Sequence, residues 1–191
     1  MTPRTEAPPP LPGLRLRPMA ADDLDALVDL DSDPEVTRYI NGGQATPREV
    51  YVEHILPRIL AHADAARGRG YFAIVDDDAA AGERFLGWAH LRPDHLEPTW
   101  LELGYRLHRR VWGRGVATWA GATLVRRGLA DASVPVISAR TDVDNRASRR
   151  VMEKLGMRLA GEFEFPAATI GTLAIPAAQA VLYVLKRGAG G

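Results

Sequence analysis

Apolar positions in the first third of the chain follow a strand-like spacing and then a helical one. The alternation in LRLRP predicts a strand over Leu14 to Pro18. Apolar residues at helical spacing then predict an amphipathic helix from Asp22 to Leu30 and a short helix from Pro34 to Ile40. A capping box with proline at the first helical position predicts a long helix to about Ala66, and its residues are Thr46, Pro47 and Glu49.

The middle of the chain is typical of strands. Two apolar runs, Tyr71 to Val75 and Phe85 to Leu91, are joined by the turn DDDAAAGE and predict a hairpin. The elements predicted after it are a strand from Trp100 to His108, a helix to about Arg127, a strand from Val136 to Ala139, a helix that ends at Gly156, and strands near Arg158 to Phe165 and from Ala180 to Lys186. The connection from Pro166 to Pro176 is expected to be irregular and close to the active site.

The order of these elements predicts the fold class. A first strand, two helices, an antiparallel meander and then alternating helices and strands form a mixed sheet with helices on both faces. We therefore expect an α/β protein with a twisted, mostly antiparallel sheet of about six to seven strands. Residues 14–191 are expected to form a single domain, after a proline-rich tail over residues 1–13 that is neither a signal peptide nor a membrane anchor.

An arginine-rich glycine loop lies between the strand at Trp100 to His108 and the apolar helix that follows. Gly113 and Gly115 let the backbone approach a ligand closely, and the helix beginning near Val116 offers unpaired N–H groups and its positive dipole end to an anion. Positive charge comes from Arg109, Arg110 and Arg114. The segment indicates a phosphate site. A Rossmann dinucleotide site would need a third small residue, where this chain has Thr118.

A second motif, DVDNRASRRVMEKLGM, follows the strand at Val136. Asn145 lies at the strand-to-helix junction, and Ser148 lies three residues later at the helix entrance, so both can point toward the top of the sheet. An isolated pair of this kind favours a plain helix cap. In combination with the upstream glycine loop, it indicates a ligand site.

Together, GYRLHRRVWGRGVAT and NRASRRVMEKLGM resemble the GCN5-related N-acetyltransferase (GNAT) superfamily, and within it the Rim-type N-terminal acetyltransferases, over about residues 14 to 187. The resemblance implies a GNAT-like sheet and the co-substrate acetyl-CoA, with the pyrophosphate in the R-x-x-G-x-G loop and the pantetheine arm against Asn145. The cofactor-binding residues that it implies are Leu103, Tyr105, Leu107, Arg109, Arg110, Trp112, Gly113, Arg114, Gly115, Val116, Ala117, Asn145 and Ser148. One departure is Trp119, where this branch usually has an acidic residue.

Acetyl transfer from a thioester to an amine needs a neutral nucleophile, a donor for the oxyanion and help for the leaving thiolate. Glu102, on the strand that leads into the loop, is the predicted general base, and an ion pair with an arginine is its alternative role. Gly104 is expected either to mark a bulge that frees a backbone N–H near Tyr105 for the oxyanion or only to relieve packing. Ser148 or Tyr105 is predicted to protonate the thiolate.

The composition of the chain excludes some classes of binding partner and cofactor. Lys and Arg total 24 and so do Asp and Glu, so no net charge attracts nucleic acid or an acidic membrane. Cysteine is absent, which excludes a thiol nucleophile, and no pair of the five histidines has zinc-site spacing, so no metal is expected. The acidic residues between Asp22 and Glu35 either attract an amine-bearing acceptor or form a solvated helix face.

The function implied by the resemblance is an N-acetyltransferase that moves the acetyl group of acetyl-CoA to a primary amine by direct attack in a ternary complex. The favoured acceptor is the N-terminal amine of a protein or peptide. Two alternatives stay open: a small-molecule N-acetyltransferase acting on an antibiotic, a polyamine or an amino acid, and a CoA-binding module without turnover. We expect a cytoplasmic protein, and a homodimer stays open.

Overall fold

The computed structural model describes residues 11–77 and 83–188. Nine strands lie in these ranges: β1 (Leu14–Pro18), β2 (Gly70–Asp76), β3 (Arg84–Pro93), β4 (Leu101–Leu107), β5 (Val136–Asp142), β6 (Arg158–Phe165), β7 (Ala168–Ile170), β8 (Leu173–Ile175) and β9 (Ala178–Lys186). Most of the predicted proline-rich tail and most of the DDDAAAGE turn lie outside the described residues.

Seven of these strands form the main sheet, in the order β1-β2-β3-β4-β5-β9-β6. All neighbours are antiparallel except β4 and β5, which run parallel. The expected fold class, a mixed and mostly antiparallel sheet in an α/β protein, is confirmed.

Helices cover both faces of this sheet. They are α1 (Leu24–Leu30), α2 (Pro34–Asn41), α3 (Arg48–Val50), α4 (Leu56–Ala61), α5 (Val116–Ala130) and α6 (Arg146–Lys154). The larger apolar core lies between the sheet and α5 and α6, around Leu103, Leu124 and Met152. A smaller core on the opposite face, around Leu27 and Tyr51, packs under α1 and the helix that contains α3 and α4. Sheet residues therefore alternate between two differently covered faces.

The helix predicted from Thr46 to Ala66 is shorter, and its capping box is wrong. A π-helical turn, Tyr51–Ile55, joins α3 to α4, and this helix ends at Ala61; a separate 3-10 turn covers Ala65–Arg67. The N-cap is Pro47 without a side-chain cap, because the Thr46 hydroxyl donates instead to buried Asp31 at 2.9 Å. Beyond the helix, the backbones of residues 64 and 69 exchange hydrogen bonds of 3.1 and 3.0 Å, which turn the chain toward β2.

The segment from Pro166 to Pro176 was expected to be irregular, and that prediction is wrong. It contains the hairpin of β7 and β8. Leu173 is buried, and the Gln44 side-chain amide donates to the Ala174 carbonyl at 3.4 Å. At the hairpin turn, Gly171 packs closely against His54. The hairpin therefore lies over the helices on the α1–α4 face of the sheet. Strands of three residues carry too little alternation to be recognised from sequence.

Candidate active site

An opening lies between β4 and β5. The two strands pair only where Leu101 faces Ile137 and Glu102 faces Ser138. Past these pairs β4 stays paired with β3 as far as Leu107, and β5 stays paired with β9 as far as Asp142. The facing edges of β4 and β5 therefore carry main-chain groups that can bind an extended ligand between the strands.

The glycine loop follows the end of β4 at which β4 and β5 are no longer paired. Gly113 and Gly115 have φ angles of 72° and 81°, in the left-handed region that favours glycine. A Cβ atom at either position would meet no heavy atom of the described chain within 4 Å, so the space above both residues is open to a ligand. Gly115 is the N-cap of α5 and makes no side-chain cap. The N–H groups of the first turn, including those of Val116 and Ala117, are left for an anion.

The three arginines of the loop have different environments. The exposed Arg109 side chain lies 3.3 Å from the Asp33 carboxylate, a surface pair that contributes little to stability. Arg114 is exposed. In contrast, Nη2 of Arg110 donates to the Phe85 carbonyl of β3 at 2.8 Å. Arg110 thus fastens the loop to the sheet through one guanidinium nitrogen, and cofactor binding by Arg109, Arg110 and Arg114 stays a prediction.

Three other predicted cofactor residues lie beside the opening. Leu103 and Leu107 of β4 point their side chains into the larger core, at 2% and 7% exposure, so a ligand can meet them only through their backbone. The Trp112 indole donates to the Leu107 carbonyl at 2.8 Å and holds the loop against the end of β4. Its ring is 44% exposed and can pack on a ligand.

Tyr105 and Ser148 connect the two sides of the opening. The Tyr105 hydroxyl of β4 lies 3.0 Å from Oγ of Ser148 and donates to the Ser148 carbonyl at 3.1 Å. Burial raises the pKa of Tyr105 to about 12, against the smaller lowering effect of its bond with Ser148. The phenol therefore keeps its proton at neutral pH and can act as a donor. The Asn145 side chain accepts from the Ser148 N–H at 3.1 Å, so it does cap α6.

Glu102 lies on the other face of β4 and is ion-paired. Its Oε2 is 2.5 Å from Nη2 of Arg92, and its Oε1 is 3.3 Å from Nη1 of Arg140. Arg140 also pairs with Asp94, which accepts from the Ser138 hydroxyl. Both carboxylate oxygens of Glu102 thus contact guanidinium groups, as its alternative role requires, and its role as general base stays a prediction.

Gly104 does not mark a bulge, so that prediction is wrong. The register of β3 with β4 is regular from Gly87 opposite Leu107 to Pro93 opposite Leu101, and Gly104 faces His90. A Cβ at Gly104 would come within 2.6 Å of Cε1 of His90. The glycine is therefore required by the close approach of the imidazole, in agreement with the packing alternative.

A buried ion pair on the same face was missed by the sequence analysis. Asp31 is 1% exposed and accepts from the Tyr51 hydroxyl at 2.7 Å and from Nη1 of Arg106 at 2.7 Å. Asp23 is also buried, in an ion pair of 2.6 Å with Arg17. These two aspartates therefore neither lie on a solvated helix face nor attract an acceptor. No local signal in the sequence distinguishes them from exposed neighbours such as Asp29.

Among residues 11–77 and 83–188, no group of three or more His, Cys, Asp or Glu side chains could hold a metal ion. In the same part of the chain, every helix is too short or too polar to cross a membrane.

Residues 13–158 match the family described as the acetyltransferase (GNAT) domain, and the chain belongs to that family.

Three known proteins illustrate the relationship. The chain is 36% identical to the uncharacterized protein YkkB of Bacillus subtilis over 92 residues, which are 48% of this chain and 53% of YkkB, so the match spans about half of that protein. It is 26% identical over 160 residues to the uncharacterized N-acetyltransferase p20 of Bacillus licheniformis, covering 78% of this chain and 80% of p20. The structure of RimL, the ribosomal L7/L12 alpha-N-protein acetyltransferase, in complex with coenzyme A is similar with a TM-score of 0.69 and 17% identity, covering 94% and 97% of the two chains.

Proposed function

We propose that this protein transfers the acetyl group of acetyl-CoA to a primary amine and that the acceptor is the N-terminal amine of a peptide or protein. The observation that carries the proposal is the continuity of the open glycine loop with the opening between β4 and β5. The loop offers a site for a pyrophosphate, and the opening offers a site for an extended arm.

The residues of the site fit acetyl-CoA. The main-chain N–H groups of the loop and of the first turn of α5, together with Arg109 and Arg114, would hold its phosphates. The edge of β4 and the entrance of α6 at Asn145 would hold its pantetheine arm. When bound, acetyl-CoA supplies an acetyl group activated as a thioester. Its thiolate needs a proton, and Tyr105 supplies one through the hydroxyl that also contacts Ser148.

The acceptor would approach from the α1–α4 face, because α5 and α6 fill the other face of the sheet. α1 carries exposed carboxylates that would attract an ammonium group; among them, Asp25 is paired with Arg48 at 2.6 Å, whereas the Asp29 side chain is 73% exposed. RimL, which shares the fold, is named for an alpha-N-protein acceptor. A small amine is the second candidate, and it is favoured by Trp119, which replaces the acidic residue usual in the Rim-type branch.

The test is turnover of acetyl-CoA over a panel of amines: short peptides with free N-termini, spermidine, free amino acids and an aminoglycoside. Each amine is compared with its N-acetylated form, and Gly115→Asp serves as the variant without a phosphate site. The proposal expects release of CoA with free-amine peptides and a peptide product acetylated at its N-terminus. Turnover with small amines alone would overturn the peptide acceptor. CoA binding without turnover on any amine would make the protein a binding module.

A further inference from the structure

An unpaired histidine lies beside the proposed reaction centre. His90 of β3 is 7% exposed, and its Nδ1 and Nε2 atoms have no hydrogen-bond partner among the described residues. Buried polar atoms are normally hydrogen-bonded, and leaving one unpaired destabilises the folded protein. The protein therefore keeps this imidazole at some expense in stability.

The position of the ring connects it with the opening. The edge that contains Nδ1, Cε1 and Nε2 is turned toward Gly104 of β4, with these three atoms 3.2, 2.6 and 2.8 Å from the point where a Cβ would lie. Gly104 comes two residues after Glu102, the last residue of β4 that pairs with β5. The polar edge of the imidazole thus lies against the strand that borders the opening.

Aromatic rings fix the orientation of His90. The ring of Trp88 stacks on it at 5.7 Å between centroids and 15° between planes, and the ring of Tyr71 meets it edge-on at 4.7 Å. Neither contact uses the ring nitrogens, since the polar edge faces β4. The imidazole is therefore held in place, while both of its nitrogens are buried without a hydrogen-bond partner among the described residues.

Charges around the ring favour a neutral ligand. Arg92 and Arg106 lie on the same face of the sheet, but the first is paired with Glu102 and the second with Asp31. The two carboxylates balance the two guanidinium groups, so His90 has no carboxylate left over to hold an ammonium ion. A neutral amine, by contrast, can donate an N–H to an imidazole nitrogen.

The geometry points to His90 as the residue that binds the acceptor's amino group, as a free amine, through a hydrogen bond to a ring nitrogen. This inference rests on the proposed function, which places the thioester in the opening beside β4. The bond keeps the lone pair of the amine directed toward β4, where the acetyl carbon would lie. In the transfer, the amine nitrogen forms a bond to the acetyl carbon, the carbon–sulfur bond breaks and the thiolate takes the proton of Tyr105. The nitrogen gives its extra proton to water, and the Tyr105 phenolate takes a proton back from water.

A binding measurement tests this without turnover. Imidazole Cε1–Hε1 signals are recorded by NMR in the presence of CoA while trialanine is added at about pH 8, where about half of its α-amino groups are neutral. The His90 signal is assigned by its loss in His90→Gln. We expect trialanine to shift the His90 signal, N-acetyl-trialanine to leave it unchanged, and the half-buried His54 to respond to neither. An unshifted His90 signal would overturn the inference.

A kinetic test separates binding from a structural role. His90→Gln is expected to raise the KM for the peptide acceptor about fivefold and to leave the KM for acetyl-CoA unchanged, since one hydrogen bond contributes about 1 kcal/mol. Gly104→Ala should act in the same way, because its Cβ displaces the imidazole. His54→Gln is the matched control. If His90→Gln folds and its KM for the peptide acceptor stays within about twofold of the parent value, His90 has only a packing role. Failure of the parent to turn over any amine would instead count against the proposed function.

Discussion

Replacing Gly115 by aspartate separates the folding role of the glycine loop from its binding role. Gly115 has a φ of 81°, where a residue with a side chain costs about 1–2 kcal/mol. A Cβ there meets no heavy atom of the described chain within 4 Å, so the strain is not increased by a clash. We expect the free energy of unfolding of Gly115→Asp to fall by about 1 kcal/mol, out of the roughly 5–15 kcal/mol typical of a domain.

Binding should change far more than stability. At a CoA concentration of about a hundred times the Kd, linkage stabilises the parent by about 2.7 kcal/mol, which raises the Tm of a chain of this size by about 5–11 °C. Gly115→Asp should show no such rise, because its side chain occupies the space of the pyrophosphate and its charge repels it. The assay is thermal unfolding with and without CoA, and NADH serves as the control ligand.

Two further variants control for charge and strain. Gly115→Asn has a similar shape without the charge, so comparing it with the aspartate isolates repulsion. Gly156→Asp places the same side chain at a φ of 79° just after α6, away from the loop. It should lose similar stability and keep the full response to CoA. If Gly115→Asp kept the parent's response to CoA, the phosphate site would lie elsewhere.

Three other substitutions test single contacts. Asn145→Ala should lower the free energy of unfolding by about 1 kcal/mol, because α6 loses its cap, and should weaken CoA binding about fivefold in calorimetric titration. An unchanged CoA affinity would show that Asn145 only caps the helix. Glu102→Gln should destabilise the protein by about 3–5 kcal/mol, because Arg92 loses its carboxylate partner while Arg140 keeps only Asp94. Turnover should stay within about threefold of the parent, and a hundredfold fall that shrinks as pH rises would make Glu102 the general base. Burial, and then the charge of Arg92, hold the pKa of His90 well below 6.5, so below about pH 6 the unfolded state binds a proton that the native state does not, and stability falls toward acid. Below about pH 6, the free energy of unfolding of His90→Gln should therefore fall by about 1.4 kcal/mol less per pH unit than that of the parent. The measurement is urea unfolding at a series of pH values, and an equal pH dependence in the two proteins would contradict this.

Elements with strong local patterns could be predicted from the sequence. The bounds of β1, Leu14–Pro18, agree with the prediction, and β6 was also placed correctly, because alternation or flanking turn residues mark their ends. The second helix begins with Pro34 after an aspartate, and Asp33 does accept from the Glu35 N–H. Such signals depend on neighbours in sequence, which is why they could be recognised without the fold.

Features that depend on distant residues could not be predicted. Asp31 and Arg106 are 75 positions apart, and their ion pair exists only because α1 packs against β4. The Thr46 hydroxyl was expected to cap a helix, yet the same aspartate binds it in the folded protein. The role of Gly104 likewise depends on His90 in the neighbouring strand. The glycine loop and the entrance of α6 were recognisable because each is a continuous segment.

A crystal structure of the protein with CoA would show directly where the cofactor binds. We expect the pyrophosphate within hydrogen-bonding distance of the main-chain N–H groups of residues 113–117, and the pantetheine arm between β4 and β5 past the pair of Glu102 and Ser138. CoA bound instead in the crevice beside Trp119 and Arg127, or outside the opening with β4 and β5 unoccupied between them, would contradict it.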